Sequence, residues 1–158
     1  MSTISRLLVR PAGKEDVDVL VNFSRAMALE TEGRHLDEDR LRRGTLAVFD
    51  AAVRGFYLVA ESIEKKTVVG QLLITYEWSD WRNATFWWIQ SVYVHPDWRR
   101  RGVYRQMYES VVKMARDHSD VCGLRLYVEK NNRVAQSVYE AMTLHGTTYE
   151  IWEVDFVL

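Results

Sequence analysis

Apolar residues along this chain recur first at helical spacing, then at every second position, then at helical spacing again. Residues 5–10 read as a short strand through Leu7, Leu8 and Val9, stopped by Pro11-Ala12-Gly13. Residues 15–30 carry Val17, Leu20, Val21, Phe23, Ala26, Met27 and Ala28 near a 3.6-residue period, with acids in the first turn, which predicts a helix. After a polar break at residues 31–35, a second helix is expected over residues 37–49, with Leu41, Thr45 and Val48 on one stripe. The period then drops to two. Residues 55–61, 67–78 and 84–94 predict three strands, joined by segments short enough for antiparallel hairpins. A helix over residues 102–118 follows, with Val103, Met107, Val111 and Met114 facing a core, then a strand over residues 123–128. A helix over residues 132–142 turns Val134, Ala135, Val138, Tyr139 and Met142 inward, and a last strand over residues 147–157 puts Trp152, Val154 and Phe156 on one face. This series predicts a mixed α/β (α+β) architecture. No repeat or linker interrupts it, so residues 1–158 read as a single domain.

Composition narrows the functions available. At 158 residues and 47% hydrophobic content the chain can bury a core without metal or disulfide staples. A net charge of -1 provides no general field for nucleic acid or membrane, so neither is an expected partner. The single cysteine, Cys122, has no partner for an intrachain disulfide and reads as a small buried hydrophobe at a strand start. The apolar run at Leu7-Leu8-Val9 is too short for a signal peptide, and no run approaches a membrane span. A soluble, cytoplasmic protein is expected. No His/Cys/Asp cluster has metal-ligand spacing, and His95, ahead of Pro96, fits a turn or capping role.

Candidate chemistry concentrates in residues 91–108, SVYVHPDWRRRGVYRQMY, a strand–turn–helix junction. The first turn of a helix leaves N–H groups unused and carries partial positive charge, so it can hold an anion through the main chain. Arg99, Arg100, Arg101 and Arg105 reinforce that charge, and Gly102 removes a Cβ where phosphates would approach. The physical reading is a phosphate or pyrophosphate cradle.

Arg99-x-x-Gly102-x-Tyr104, after an apolar strand ending Val92-x-Val94, resembles the acetyl-CoA signature of the GNAT family of N-acetyltransferases, usually Gln/Arg-x-x-Gly-x-Gly/Ala. Tyr104 departs from it, standing where a small residue is expected. Downstream, Asn132, Ala135 and Tyr139 resemble the family's Asn-x-x-Ala-x-x-x-Tyr half-site, with Asn132 as N-cap and the other two on the same helix face. The resemblance spans nearly the whole chain. It implies the acyl-CoA N-acyltransferase fold, a mixed sheet with two splayed strands flanked by four helices. It implies acetyl-CoA as cosubstrate, with the pantetheine arm on the backbone of Val92, Tyr93 and Val94, and the pyrophosphate on residues Arg99, Arg100, Arg101, Gly102, Val103, Tyr104 and Arg105. Asn132 and Ala135 are assigned to the cofactor side.

The implied reaction is transfer of an acetyl group to a primary amine by direct attack, with Tyr139 protonating the departing thiolate and a main-chain N–H near Val92 or Tyr93 serving the oxyanion. In some relatives a Glu on the strand before the arginine loop is the base; Trp88 stands there instead. Glu30, Glu32, Glu77 or a water chain held by Gln90 and Tyr93 could take that role, with Glu32 preferred. Trp78, Trp81, Phe86, Trp87 and Trp88, with the acids of residues 30–39, suit an ammonium-bearing acceptor, small molecule or peptide. A non-catalytic acyl-CoA sensor is the alternative, and the apolar C-terminal strand suits a homodimer.

Overall fold

A computed structural model describes residues 6–157, which form two compact units, one ending at Leu126 and one beginning at Tyr127. In the first, β1 (Leu7–Pro11), α1 (Val17–Glu32), α2 (Glu38–Asp50), β2 (Phe56–Ser62), β3 (Thr67–Ser79), β4 (Ala84–Val94), α3 (Val103–Asp117) and β5 (Val121–Leu126) follow in order. The strands form one sheet in the order β1-β2-β3-β4-β5. Neighbours are antiparallel up to β4; β5 runs parallel to β4, as the crossover through α3 requires. β1 extends through Pro11, which pairs with Leu58, and the expected start at Ser5 lies outside the described residues.

Each helix begins or ends on a residue suited to it. Gly33 closes α1 in the left-handed region at φ 61°, returning its N–H to Ala28 and Leu29. Asp37 opens α2 by accepting from Arg40 N at 2.7 Å, so it caps the helix from outside. The sheet is covered on both faces. On one, Leu20 of α1 packs with Tyr57 and Val59, flanked by Val48 and Phe49 of α2. On the other, α3 turns buried Val103, Met107 and Val111 inward, the first two against the backbone at Gly70, where an added Cβ would stand 3.0 Å from Val103. Cys122 corrects the expectation of burial: it is exposed, on β5 at the edge of the sheet.

The second unit holds α4 (Arg133–Ala141). Asn132 caps it, its Oδ1 accepting from Ala135 N at 3.0 Å, as its position in the sequence predicts. Of the residues expected to face inward, Val134 and Val138 are exposed, because this short unit offers no second layer to cover them. The expected strand over residues 147–157 is not formed, and Trp152, Val154 and Phe156 are 90%, 72% and 88% exposed. Alternation prepares a segment for a sheet edge, but within its own unit there is no strand to pair with. Among the described residues no helix is long and apolar enough to cross a membrane.

Gly55 joins the helices to β2 at φ 142°, and a Cβ there would stand 1.9 Å from the Ile74 carbonyl oxygen. Gly55→Ala should therefore cost about 2–3 kcal/mol, read as a lower midpoint in denaturant unfolding. An unchanged midpoint would show that β3 yields at this point.

Candidate active site

The β3–β4 ladder slips where the site begins. Leu73 pairs with Gln90 and Gln71 with Tyr93, so one residue of β3 faces two of β4, Ser91 and Val92. Ser91 takes φ 50°, the turn such a bulge needs. Gln71, fully buried, holds it: Nε2 donates to the Ser91 carbonyl at 3.2 Å and to Ser24 Oγ at 3.1 Å. On its other side β4 pairs with β5 only as far as Ile89, opposite Leu126. From Gln90 to Val94 that side of β4 has no strand partner among the described residues, which is the expected splay and leaves main-chain groups for a ligand.

The chain then enters the arginine loop. His95 Nδ1 accepts from Asp97 N at 3.3 Å, the capping role expected of it, and Trp98 is buried beneath. Arg100 at φ 60° and Gly102 at φ 78° turn the backbone ahead of α3, and the loop forms a shallow concavity lined by Pro96, Asp97, Arg99, Arg100 and Arg101. The α3 ladder starts with Gln106 N donating to Gly102 O at 3.1 Å, so the earlier N–H groups of that turn are not consumed by the helix. Nothing lies within 4 Å of where a Gly102 Cβ would be. Tyr104, the departure from the signature, turns its ring along the helix to Tyr108, 6.2 Å away.

Arg99 is placed differently from its neighbours. Its Nη2 donates to Glu30 Oε2 at 2.7 Å, its Nε to the Val94 carbonyl at 3.0 Å, and its guanidinium lies 5.3 Å from the Tyr93 ring. Tyr93 donates to the other oxygen of Glu30 at 2.8 Å and packs on Phe23 at 5.1 Å. The end of α1, the bulge and the loop are thus joined through one carboxylate. Glu32, two residues further and roughly 200° around the helix, is outside this cluster, with only a 3.8 Å contact to Arg34.

Glu77 is a second committed carboxylate. Its Oε1 accepts from Trp88 Nε1 at 2.9 Å and from Arg125 Nη1 at 2.6 Å. Burial pushes Glu77 up, but these hydrogen bonds outweigh it and hold the group below the ordinary carboxylate range. Arg125 is the residue that sequence reasoning missed. A charge in the middle of Leu124-Arg125-Leu126 was the available signal. In the second unit Ala135 and Tyr139 are half-buried on one face of α4, and burial raises the Tyr139 phenol, which keeps it protonated at neutral pH. Among the described residues no group of three His, Cys, Asp or Glu could hold a metal.

The sequence pattern of the Acetyltransferase (GNAT) family matches residues 21–143. The chain belongs to that family. A possible acetyltransferase from Clostridium difficile 630 is similar at 36% identity and TM-score 0.88, over 96% of this chain and 99% of that one. Two others at lower identity share the GNAT fold. One is a predicted acetyltransferase with acetyl-CoA from Clostridium acetobutylicum (17%, TM-score 0.74, 95% and 96% covered). The other is glucosamine-6-phosphate N-acetyltransferase from Arabidopsis thaliana (13%, TM-score 0.71, 94% and 98% covered). No curated protein sequence matches it. The five-stranded sheet with four helices is the GNAT acyl-CoA N-acyltransferase fold, and acetyl-CoA is the cosubstrate of this family. The open Gly102 position and the unpaired side of β4 fit such a molecule.

The Glu30 tie makes a pH prediction for this GNAT chain. Hydrogen bonds from Arg99 first and Tyr93 second hold Glu30 below its ordinary 4.5. A pKa lowered on folding stabilises fully above the unfolded value, and the gain is lost as pH falls through the folded one. Wild type and Glu30→Gln should therefore differ in denaturant midpoint at about pH 7 and converge in acid, once the pH has fallen through the lowered folded value. An equal gap at both would mean that the carboxylate charge is not what the tie uses.

Proposed function

We infer that this protein, acting as one domain, transfers an acetyl group from acetyl-CoA to a primary amine by direct attack. The observation that carries this is the open N-terminal turn of α3 at Gly102, continuous along the chain with the unpaired side of β4. Arg100, Arg101 and Arg105 supply charge to the pyrophosphate, with main-chain N–H groups of Gly102, Val103 and Tyr104 beneath it. Arg99 acts from its tie to Glu30. Val92, Tyr93 and Val94 meet the pantetheine arm, and Asn132 and Ala135 are assigned to cofactor binding.

In the reaction the neutral amine nitrogen bonds to the thioester carbonyl carbon, and the C–S bond breaks. An N–H at the bulge, near Val92 or Tyr93, donates to the oxygen on which charge develops, an effect worth roughly 100-fold or more in rate. The thiolate takes its proton from Tyr139, whose raised pKa suits a general acid, and the phenol is restored by the proton that the attacking nitrogen gives up as the amide forms. Glu30 and Glu77 are each held as anions by two donors, which makes them weak bases. Glu32, exposed and less committed, passes the ammonium proton to solvent. Exposed Trp152, Val154 and Phe156 support pairing with a second copy of the chain.

Acetyl-CoA binding by calorimetry, with thiol release over a panel of amines, tests this reading. Binding should be present in wild type, lost in Gly102→Glu, and weakened less in Gly102→Asn, which tolerates the left-handed backbone and adds bulk without charge. Wild type that fails to bind would overturn the acyl-CoA site, and binding without thiol release from any amine would make the protein a sensor. For the proton, Glu32→Gln should lower turnover and displace the acidic limb of its pH profile. A superimposable profile would remove Glu32 from the mechanism.

A further inference from the structure

The sheet face under α1 carries polar groups that the reaction scheme leaves unused. Along β4, Phe86, Trp88 and Gln90 share that face with Thr75 and Glu77 of β3, and Arg125 of β5 stands level with Trp88. The Arg125 guanidinium lies 3.6 Å from the Phe86 ring centre while it donates to Glu77 Oε1. Its orientation is therefore fixed by an aromatic face and a carboxylate together.

The cluster is half open: the side chains of Arg125 and Glu77 are 32% and 42% exposed. An ion pair at such exposure adds little stability, so folding alone does not account for a charged residue in an apolar strand. Both donors to Glu77 converge on Oε1. Among the described residues, Glu77 Oε2 and the Nε and Nη2 of Arg125 take no further hydrogen bond. A fixed anion and a fixed cation with spare valence lie side by side. Being neutral as a pair, they give a lone carboxylate or a lone ammonium little net attraction, whereas a zwitterion satisfies both.

Distance along the strand sets what the rest of the ligand must be. Pairing between β4 and β5 ends at Ile89, and the bulge begins at Ser91. From the level of Trp88 and Arg125 to Gln90 is two residues, about 7 Å at ordinary strand rise. A head group on the pair thus needs an arm of about that length to bring an amine to the bulge.

We propose that the Arg125–Glu77 pair binds the zwitterionic head of the acceptor, and that the acceptor is an α-amino acid bearing a side-chain primary amine. Its carboxylate meets Arg125, its α-ammonium meets Glu77, and its side-chain amine is acetylated at the bulge. The inference rests on the acetyltransferase reading above.

Thiol release from acetyl-CoA with three amines of matched length tests it: L-lysine, 1,5-diaminopentane, which lacks the carboxylate, and 6-aminohexanoate, which lacks the α-ammonium. Lysine should exceed each of the others in kcat/KM by roughly 10-fold or more, as expected for one charge-assisted contact. Arg125→Met should bring the lysine to diaminopentane ratio to about one, and Glu77→Gln the lysine to aminohexanoate ratio, each variant read by its own ratio because the pair is coupled, and each checked for an intact thermal midpoint. Diaminopentane used as well as lysine by wild type would overturn the proposal while acetyl transfer stands. Acetyl-CoA bound but no amine acetylated would overturn the enzymatic reading, and this inference with it.

Discussion

A buried glutamine needs partners, and the partner Gln71 takes decides the shape of the site. An amide left without hydrogen bonds in a core costs about 1–3 kcal/mol. Gln71 meets part of that demand by donating to the Ser91 carbonyl, which the bulge in β4 turns toward it, and to Ser24 on α1. The same irregularity separates the backbone of Ser91 and Val92 from regular pairing with β3, at the height where β5 has already left β4. Core polarity and ligand access thus have one cause.

Charge is divided in an equally physical way. Four arginines lie close together at the start of α3, and their mutual repulsion is relieved by sending them to different neighbours. Arg99 goes to Glu30 and Val94. Arg101 lies 5.4 Å from the Trp98 ring. Arg100, at a positive φ, lines the concavity. Glu30 makes this division possible and also fixes Tyr93. The Glu77 and Arg125 pair repeats the pattern further down β4: a committed carboxylate orients a cation beside an opening.

The order of elements was legible because it depends on local periodicity. The 3.6-residue repeat of residues 15–30 and the alternation of residues 67–94 gave α1, β3 and β4 to within two residues at either end. Gly102, Asn132 and His95 were legible for a similar reason: each acts on backbone only a few residues away. Thr143 is a local case read the other way. It stands at φ 71° after α4, a conformation ordinarily left to glycine.

What the sequence determined, then, was the period of each segment, the caps that bound it and the family signature at Arg99 to Tyr104, all carried by neighbours in the chain. Tertiary structure decided the pairings between distant residues. Glu30 rather than Glu32 reaches the loop across 69 positions, because the phase of α1 points only one of them there. Arg125 meets Glu77 across 48 positions through strand register, which no local pattern records. For residues 147–157 the alternation was plain, but a strand exists only where an edge receives it, and that depends on the arrangement of other elements rather than on the segment's own residues.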